Sequence, residues 1–230
     1  MTAHRTNRPL AGRRIAILME SDYVDDEISY YQKRFAEEGV EVALLTRLWG
    51  NDAITFESHE RRLPITVSGD LEQLDYAELA TYSALIVPAG MVSDRLRYTE
   101  DVTRLAPAVE LLRRAFRMPT LIKGFICHAL WLAAPVPEVV AGRPLTCHNN
   151  LIGDVRNMGA RYLDEDVVVD GDLVTARTAG HCHLFARTLI DLLTAAASET
   201  NGATAAEPKS NGQPDQQAAV RLVREVAGGR

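Results

Sequence analysis

Apolar positions come in short runs that alternate with helical patterns along most of the chain. Residues 14–19 (RIAILM) form a continuous apolar run ending at Glu20. The next stretch, SDYVDDEISYYQKRFAEEG, carries Ile28, Tyr31, Phe35 and Ala36 at helical spacing, with Gly39 as a stop. Residues 40–46 (VEVALLT) read as a second strand. Strand, helix and strand in about 30 residues make a βαβ unit, which requires parallel strands and a right-handed crossover.

The alternation then repeats. SALIVP (83–88) is a buried strand, and residues 101–117 are helical, with acid first and Arg113, Arg114 and Arg117 last, as the helix dipole favours. TLIKGFI (120–126) is a strand and HALWLAA (128–134) opens a helix. RPLTC (143–147) is a short strand followed by a helix near 150–158, and DVVVDGDLVTAR (166–177) reads as a hairpin around Asp170-Gly171. Residues 183–197 form a last amphipathic helix. Between 47 and 75 the pattern weakens, and Pro64 and Gly69 leave room only for short strands or a loop. These elements predict one α/β domain over 12–197, with a mostly parallel sheet covered on both faces. Residues 1–11 read as a disordered lead-in. From Ser198 the chain is too poor in large apolar residues to offset the entropy of ordering, so 198–230 reads as a mostly disordered tail, with a short helical pattern at 218–227.

Composition narrows the function. The chain has 230 residues, 47% hydrophobic and 24% charged, enough for a core without staples. Its net charge of -6 argues against a general nucleic-acid binder. Three cysteines cannot all pair internally, which fits a reducing cytoplasm better than a secreted scaffold. No apolar run approaches the ~20 residues of a membrane span, and the basic N-terminus lacks the apolar centre of a secretory signal.

Sites in open parallel sheets lie outside the carboxyl ends of the strands. Three such ends carry chemistry: the acidic stretch after residue 19, Pro88-Ala89-Gly90, and Gly124-Phe125-Ile126-Cys127-His128. Cys127 sits where a buried strand turns into a helix, the geometry of a nucleophile elbow. A helix N-terminus there favours the thiolate, and His128 supplies a base or a cation. The local pattern leaves a second reading open, in which Cys127 is a packed small hydrophobe.

The ordered set ILMESDYVDDEISYYQKRFAEEGVEV, LIVPAGMVSDRLR, GFICHALWLA, GRPLTCH and DEDVVVDGDLVTARTAG resembles the ThiJ/PfpI family of the class I glutamine amidotransferase-like superfamily, over about 14–195. It is most similar to the PfpI branch, which includes intracellular cysteine proteases, protein deglycases and glyoxalase III-type enzymes. The resemblance implies a flavodoxin-like three-layer sandwich. It implies that Cys127 is the nucleophile with His128 beside it, and that Glu27 is the acid hydrogen-bonded to the cysteine. A carboxyl against a thiol in a partly dry pocket should stay protonated near neutrality and shuttle a proton. The resemblance further implies that Gly90, with Ala89 before it, lies at an oxyanion or substrate site, and that His148 lies beside the cysteine. His181 falls in a loop close to the pocket. Asp94 falls on the acid that reaches a neighbouring subunit's histidine, which implies a homodimer or higher homo-oligomer. Two departures stand out: Ala89-Gly90 replaces the family's Gly-Gly, and Cys127-His128-Ala129-Leu130 replaces its Cys-His-Gly-Pro. An extra stretch near 99–107 is a third. They point to a specialised substrate.

His181-Cys182-His183 joins Cys127, His128, Cys147 and His148 as soft or borderline ligands. Zinc needs three or four of them converging at ~2.0–2.3 Å, adjacent residues rarely share a metal, and no C-x-x-C or H-E-x-x-H spacing occurs, so no metal is expected. No Gly-rich phosphate loop occurs, so no nucleotide is implied. The expectation is a cofactor-independent cysteine enzyme, cytoplasmic, acting on a small electrophilic carbonyl-type substrate by glyoxalase III-like or deglycase-like hydration or hydrolysis. The alternatives are hydration or hydrolysis of an isonitrile or amide in a biosynthetic pathway, and a non-enzymatic redox-sensing or chaperone protein using the same cysteine.

Overall fold

The computed structural model describes residues 8–204, with side-chain surroundings to 198. The strands are β1 (Arg14–Leu18), β2 (Glu41–Thr46), β3 (Ile54–Glu57), β4 (Pro64–Val67), β5 (Gly69–Asp70), β6 (Ala84–Val87), β7 (Ile122–Ile126), β8 (Pro144–Leu145), β9 (Arg161–Tyr162), β10 (Val167–Asp170) and β11 (Leu173–Ala176). The helices are α1 (Asp25–Glu37), α2 (Tyr76–Leu79), α3 (Val92–Leu96), α4 (Pro107–Phe116), α5 (Ile152–Asn157) and α6 (Cys182–Thr204). Seven strands form one sheet in the order β10-β11-β7-β6-β1-β2-β5. All pair in parallel except β10, which returns antiparallel against β11 across the predicted hairpin. This is the expected mostly parallel sandwich.

The central strands are apolar because both faces are covered. β6 and β7 are buried at every residue. Period-two alternation assigns the layers. A Cβ on Gly124 would lie 2.6 Å from the Phe185 ring, so α6 packs on that face. Phe185 also meets Tyr31 at 5.9 Å between ring centroids, which puts α1 beside α6. Phe125 points the other way and meets Phe116 of α4 at 6.2 Å. On that second face Lys123 is fully buried, its ammonium paired with Asp172 and donating to the Met118 carbonyl at 3.1 Å.

Several expected elements differ. The helix read over 101–117 begins only at Pro107, which occupies its first turn, where a missing N–H costs nothing. The helix read at 128–134 is a 3-10 turn, Ala129–Ala133. The weak region 47–75 holds short strands, as read: a hairpin of β3 and β4 plus the short edge strand β5. The strand read at 143–147 shortens to β8, which pairs with β9 outside the main sheet. In the lead-in, Leu10 is fully buried. The last helix continues past the expected end at 197 to Thr204. The rest of the tail and residues 1–7 lie outside the described residues. No described helix is long and apolar enough to cross a membrane.

Candidate active site

Glu27 comes to the sheet from the first turn of α1. Its neighbours Asp25 and Asp26 are both paired with Arg61, while Glu27 turns inward with Ile28, Tyr31 and Phe35 on the buried face. The Glu27 side chain is 1% exposed. The Ala89 N–H, just past β6, donates to its two carboxyl oxygens at 3.0 and 3.3 Å. Burial outweighs this and pushes the carboxyl up to about 8. Glu27 therefore carries its proton at neutral pH.

Cys127 directly follows β7 and sits in the left-handed region, with φ 63°. For a residue with a Cβ this conformation is strained, and the fold holds it by hydrogen bonds on both sides. The Cys127 N–H donates to the Ala176 carbonyl at 2.9 Å, and its carbonyl accepts from the His148 N–H at 3.1 Å. Ser93 Oγ donates to the His128 carbonyl at 2.8 Å. The turn aims Sγ at the backbone N–H groups of Ala179, His128 and Gly90. Gly90 is required there: at φ 87° a Cβ would sit 2.2 Å from the Asp22 carbonyl oxygen.

The expected thiolate is corrected by this environment. A five-residue 3-10 turn supplies little dipole, and burial pushes the Cys127 thiol up to about 11 despite three N–H donors. His128 Nδ1 lies 3.2 Å from Sγ. Burial, and secondarily the neighbouring His148, push the His128 imidazole below its ordinary value, so it is neutral and basic at pH 7. His128 is held between His148, stacked at 4.4 Å, and Trp131 at 5.0 Å. Trp131 Nε1 donates to Asp154 at 3.3 Å, and His148 Nδ1 accepts from the Asn150 N–H at 3.2 Å.

The fold thus gathers Cys127, His128, His148, Glu27, Ala89 and Gly90 at the carboxyl ends of β6 and β7. Ala89 differs from its expected role, because its N–H is taken by Glu27 and is not free for a substrate oxygen. His181 instead contacts Thr178 Oγ1 at 2.9 Å and Asp166 at 3.3 Å, on the closing hairpin side. Asp94 lies on the surface of α3 and pairs with Arg97 at 2.7 Å. Among the described residues, no three His, Cys, Asp or Glu side chains converge as a metal would need. The Ala179 N–H and the Tyr31 hydroxyl were not foreseen. Ala179 carries no chemical side chain to mark it, and Tyr31 reads as one more apolar position of α1.

The chain matches the DJ-1/PfpI family model over residues 13–192. It is 30% identical over 183 residues to protein/nucleic acid deglycase 2 of Escherichia coli, covering 79% of this chain and 98% of that protein. It is 27% identical over 180 residues to deglycase PfpI of Pyrococcus furiosus, covering 78% and 99%. A solved two-domain protein of Anabaena variabilis, with DJ-1/ThiJ/PfpI-like and ferritin-like domains, superimposes with a TM-score of 0.69 at 24% identity. That match covers 79% of this chain and 48% of the Anabaena protein, so this chain spans about half of it.

Proposed function

The chain belongs to the DJ-1/PfpI family, and from this premise we propose that it is a cofactor-independent cysteine enzyme acting on small electrophilic carbonyl compounds, as a deglycase or glyoxalase III-type hydrolase. The observation that carries the reading is the pairing of a neutral thiol with a neutral base and a neutral acid: Cys127, His128 3.2 Å away, and Glu27 held protonated by burial. Relatives named deglycases support the substrate class.

In this reading Cys127 Sγ bonds to an aldehyde carbon while His128 Nδ1 takes the thiol proton. The carbonyl oxygen takes up the Glu27 proton, giving a hemithioacetal. The N–H groups of Gly90, His128 and Ala179 stabilise the negative charge on sulfur as the proton leaves. For a 2-oxoaldehyde, the Glu27 carboxylate then takes the proton from the former aldehyde carbon while the His128 imidazolium gives the thiol proton to the neighbouring ketone oxygen, forming an enediol. Glu27 returns its proton to the adjacent carbon and takes up the proton of the first hydroxyl, leaving a thioester with His128 neutral and Glu27 protonated again. Water activated by His128 hydrolyses it to a 2-hydroxy acid and restores the thiol. The overall change adds one water and needs no oxidant or reductant.

The partner is a small-molecule substrate and the working unit a homodimer or higher oligomer, with Asp94 reaching His128 of the next subunit. The test is a screen of 2-oxoaldehydes and glycated amines against wild type and Cys127→Ala. Turnover of these by wild type only supports the reading. Equal turnover by Cys127→Ala, or a response to peroxide with no carbonyl turnover, overturns it.

A further inference from the structure

Tyr31 lies four residues after Glu27 on α1, so the two share one face one turn apart. Its ring is fully buried, 5.9 Å from Phe35 and 5.9 Å from Phe185. That packing directs the hydroxyl at the Glu27 carboxyl, with the Cys182 thiol nearby at the start of α6. Yet Tyr31 Oη is buried with no hydrogen bond of ordinary geometry among the described residues. A buried hydroxyl left in this way is costly, and a phenylalanine would fill the same space without the cost.

The cost is recovered when Glu27 ionises. In the protonated carboxyl the Ala89 N–H is the one backbone donor, and the acid's own O–H faces Tyr31 Oη. A buried carboxylate needs more than one donor. We propose that Tyr31 is a positioning residue for Glu27, whose hydroxyl donates to the carboxylate formed when Glu27 gives its proton to the substrate oxygen, and holds it ready to take a proton back. The phenol keeps its own proton throughout. The inference rests on the proposed role of Glu27 as the site's acid.

The groups facing Glu27 are Tyr31 on its own helix, the Ala89 N–H after β6, Cys127 after β7 and Cys182 on α6. Those facing Tyr31 are Glu27, Cys182 and Tyr30. Of these, Tyr31 and Ala89 are the donors that favour the Glu27 carboxylate. Removing the Tyr31 hydroxyl leaves one donor, so the carboxyl should hold its proton to higher pH.

The test variant is Tyr31→Phe, which keeps the ring contacts. The protonated-carboxyl stretch of Glu27 is isolated by infrared difference against Glu27→Gln and followed with pH. The titration midpoint should move up by about one pH unit or more in Tyr31→Phe. With a carbonyl substrate, kcat should fall about tenfold while KM stays unchanged, the mark of a contact made only past the ground state. If Tyr31→Phe fails to fold, wild-type protein labelled at the tyrosine Cζ carbons takes its place. The Tyr31 signal should then titrate with the Glu27 midpoint and stay flat in Glu27→Gln. An unmoved infrared midpoint, or a Tyr31 signal indifferent to Glu27, overturns the proposal. Neither spectroscopic arm uses substrate. A shifted midpoint in a protein that turns over no carbonyl compound would sink the proposed function and leave this relationship standing.

Discussion

His128 Nδ1 lies 3.2 Å from Cys127 Sγ, and both groups are uncharged at neutral pH. Burial is the largest influence on each: it pushes the thiol up and the imidazole down. The pair is therefore a neutral thiol with an unprotonated base in place.

Alkylation reads this directly. Well below the thiol's value of about 11, the thiolate fraction rises ~10-fold per pH unit. The rate of iodoacetamide labelling at Cys127, mapped by mass spectrometry, should climb at that slope from pH 7 to 9. A rate that is flat from pH 6 to 8 would reveal a preformed thiolate and contradict the neutral pair. Cys147, 1% exposed and pushed up to about 12, should label more slowly throughout.

Replacing Glu27 by Gln should preserve the fold at pH 7 and lower turnover by roughly 10²-fold or more. The stability effect has a definite sign. The native carboxyl titrates at about 8 and the unfolded one at 4.5, so between those values the native state binds more protons. Wild-type stability should fall through this window as pH rises, by roughly 5 kcal/mol at most at ~1.4 kcal/mol per unit. Urea midpoints from pH 5 to 8 check it: wild type should lose ground to Glu27→Gln as pH rises. Parallel curves would return Glu27 to an ordinary carboxylate.

Gly90→Ala places a Cβ 2.2 Å from the Asp22 carbonyl oxygen at φ 87°. Backbone must move on one side or the other. The expected loss is about 2–4 kcal/mol in chemical denaturation, with reduced activity because the Gly90 N–H swings off Cys127 Sγ. An unchanged melting curve would show that the strand end has slack.

Asp94 is the acid expected to complete the site of a second subunit, and within one chain it pairs with Arg97. Mixing inactive Cys127→Ala with inactive Asp94→Ala subunits should restore activity, since some mixed oligomers hold one complete site. Full activity of Asp94→Ala alone would mean that the Arg97 pair is a surface ion pair worth ~0–1 kcal/mol and nothing more.

Much of this molecule is written in local pattern. β1, β6 and β7 were legible because a strand covered on both faces must be apolar at nearly every position. The closing hairpin was legible because Gly171, at φ 57°, serves a turn that most residues avoid. Cys127 stood out because a strand end before a helical turn exposes one side chain. Helix boundaries were less legible: an acidic, polar lead-in before Pro107 mimics a helical first turn, and only packing shows that α4 starts at the proline.

The sequence by itself determined the layered α/β plan and the place of Cys127 and His128 at a strand end, because both follow from short-range periodicity and strand ends, whereas Glu27 was marked as their partner only by the family resemblance. The tertiary structure decided the charge states and the donors. The Ala179 N–H reaches Cys127 Sγ from a loop beyond β11, and the Ala89 N–H turns to Glu27 instead of the pocket. A backbone N–H leaves no mark in a residue pattern. The neutral thiol, the neutral imidazole and the protonated carboxyl are consequences of low-dielectric burial by α1, α6 and the 3-10 turn at 129–133, a property of the assembled layers that no single segment carries.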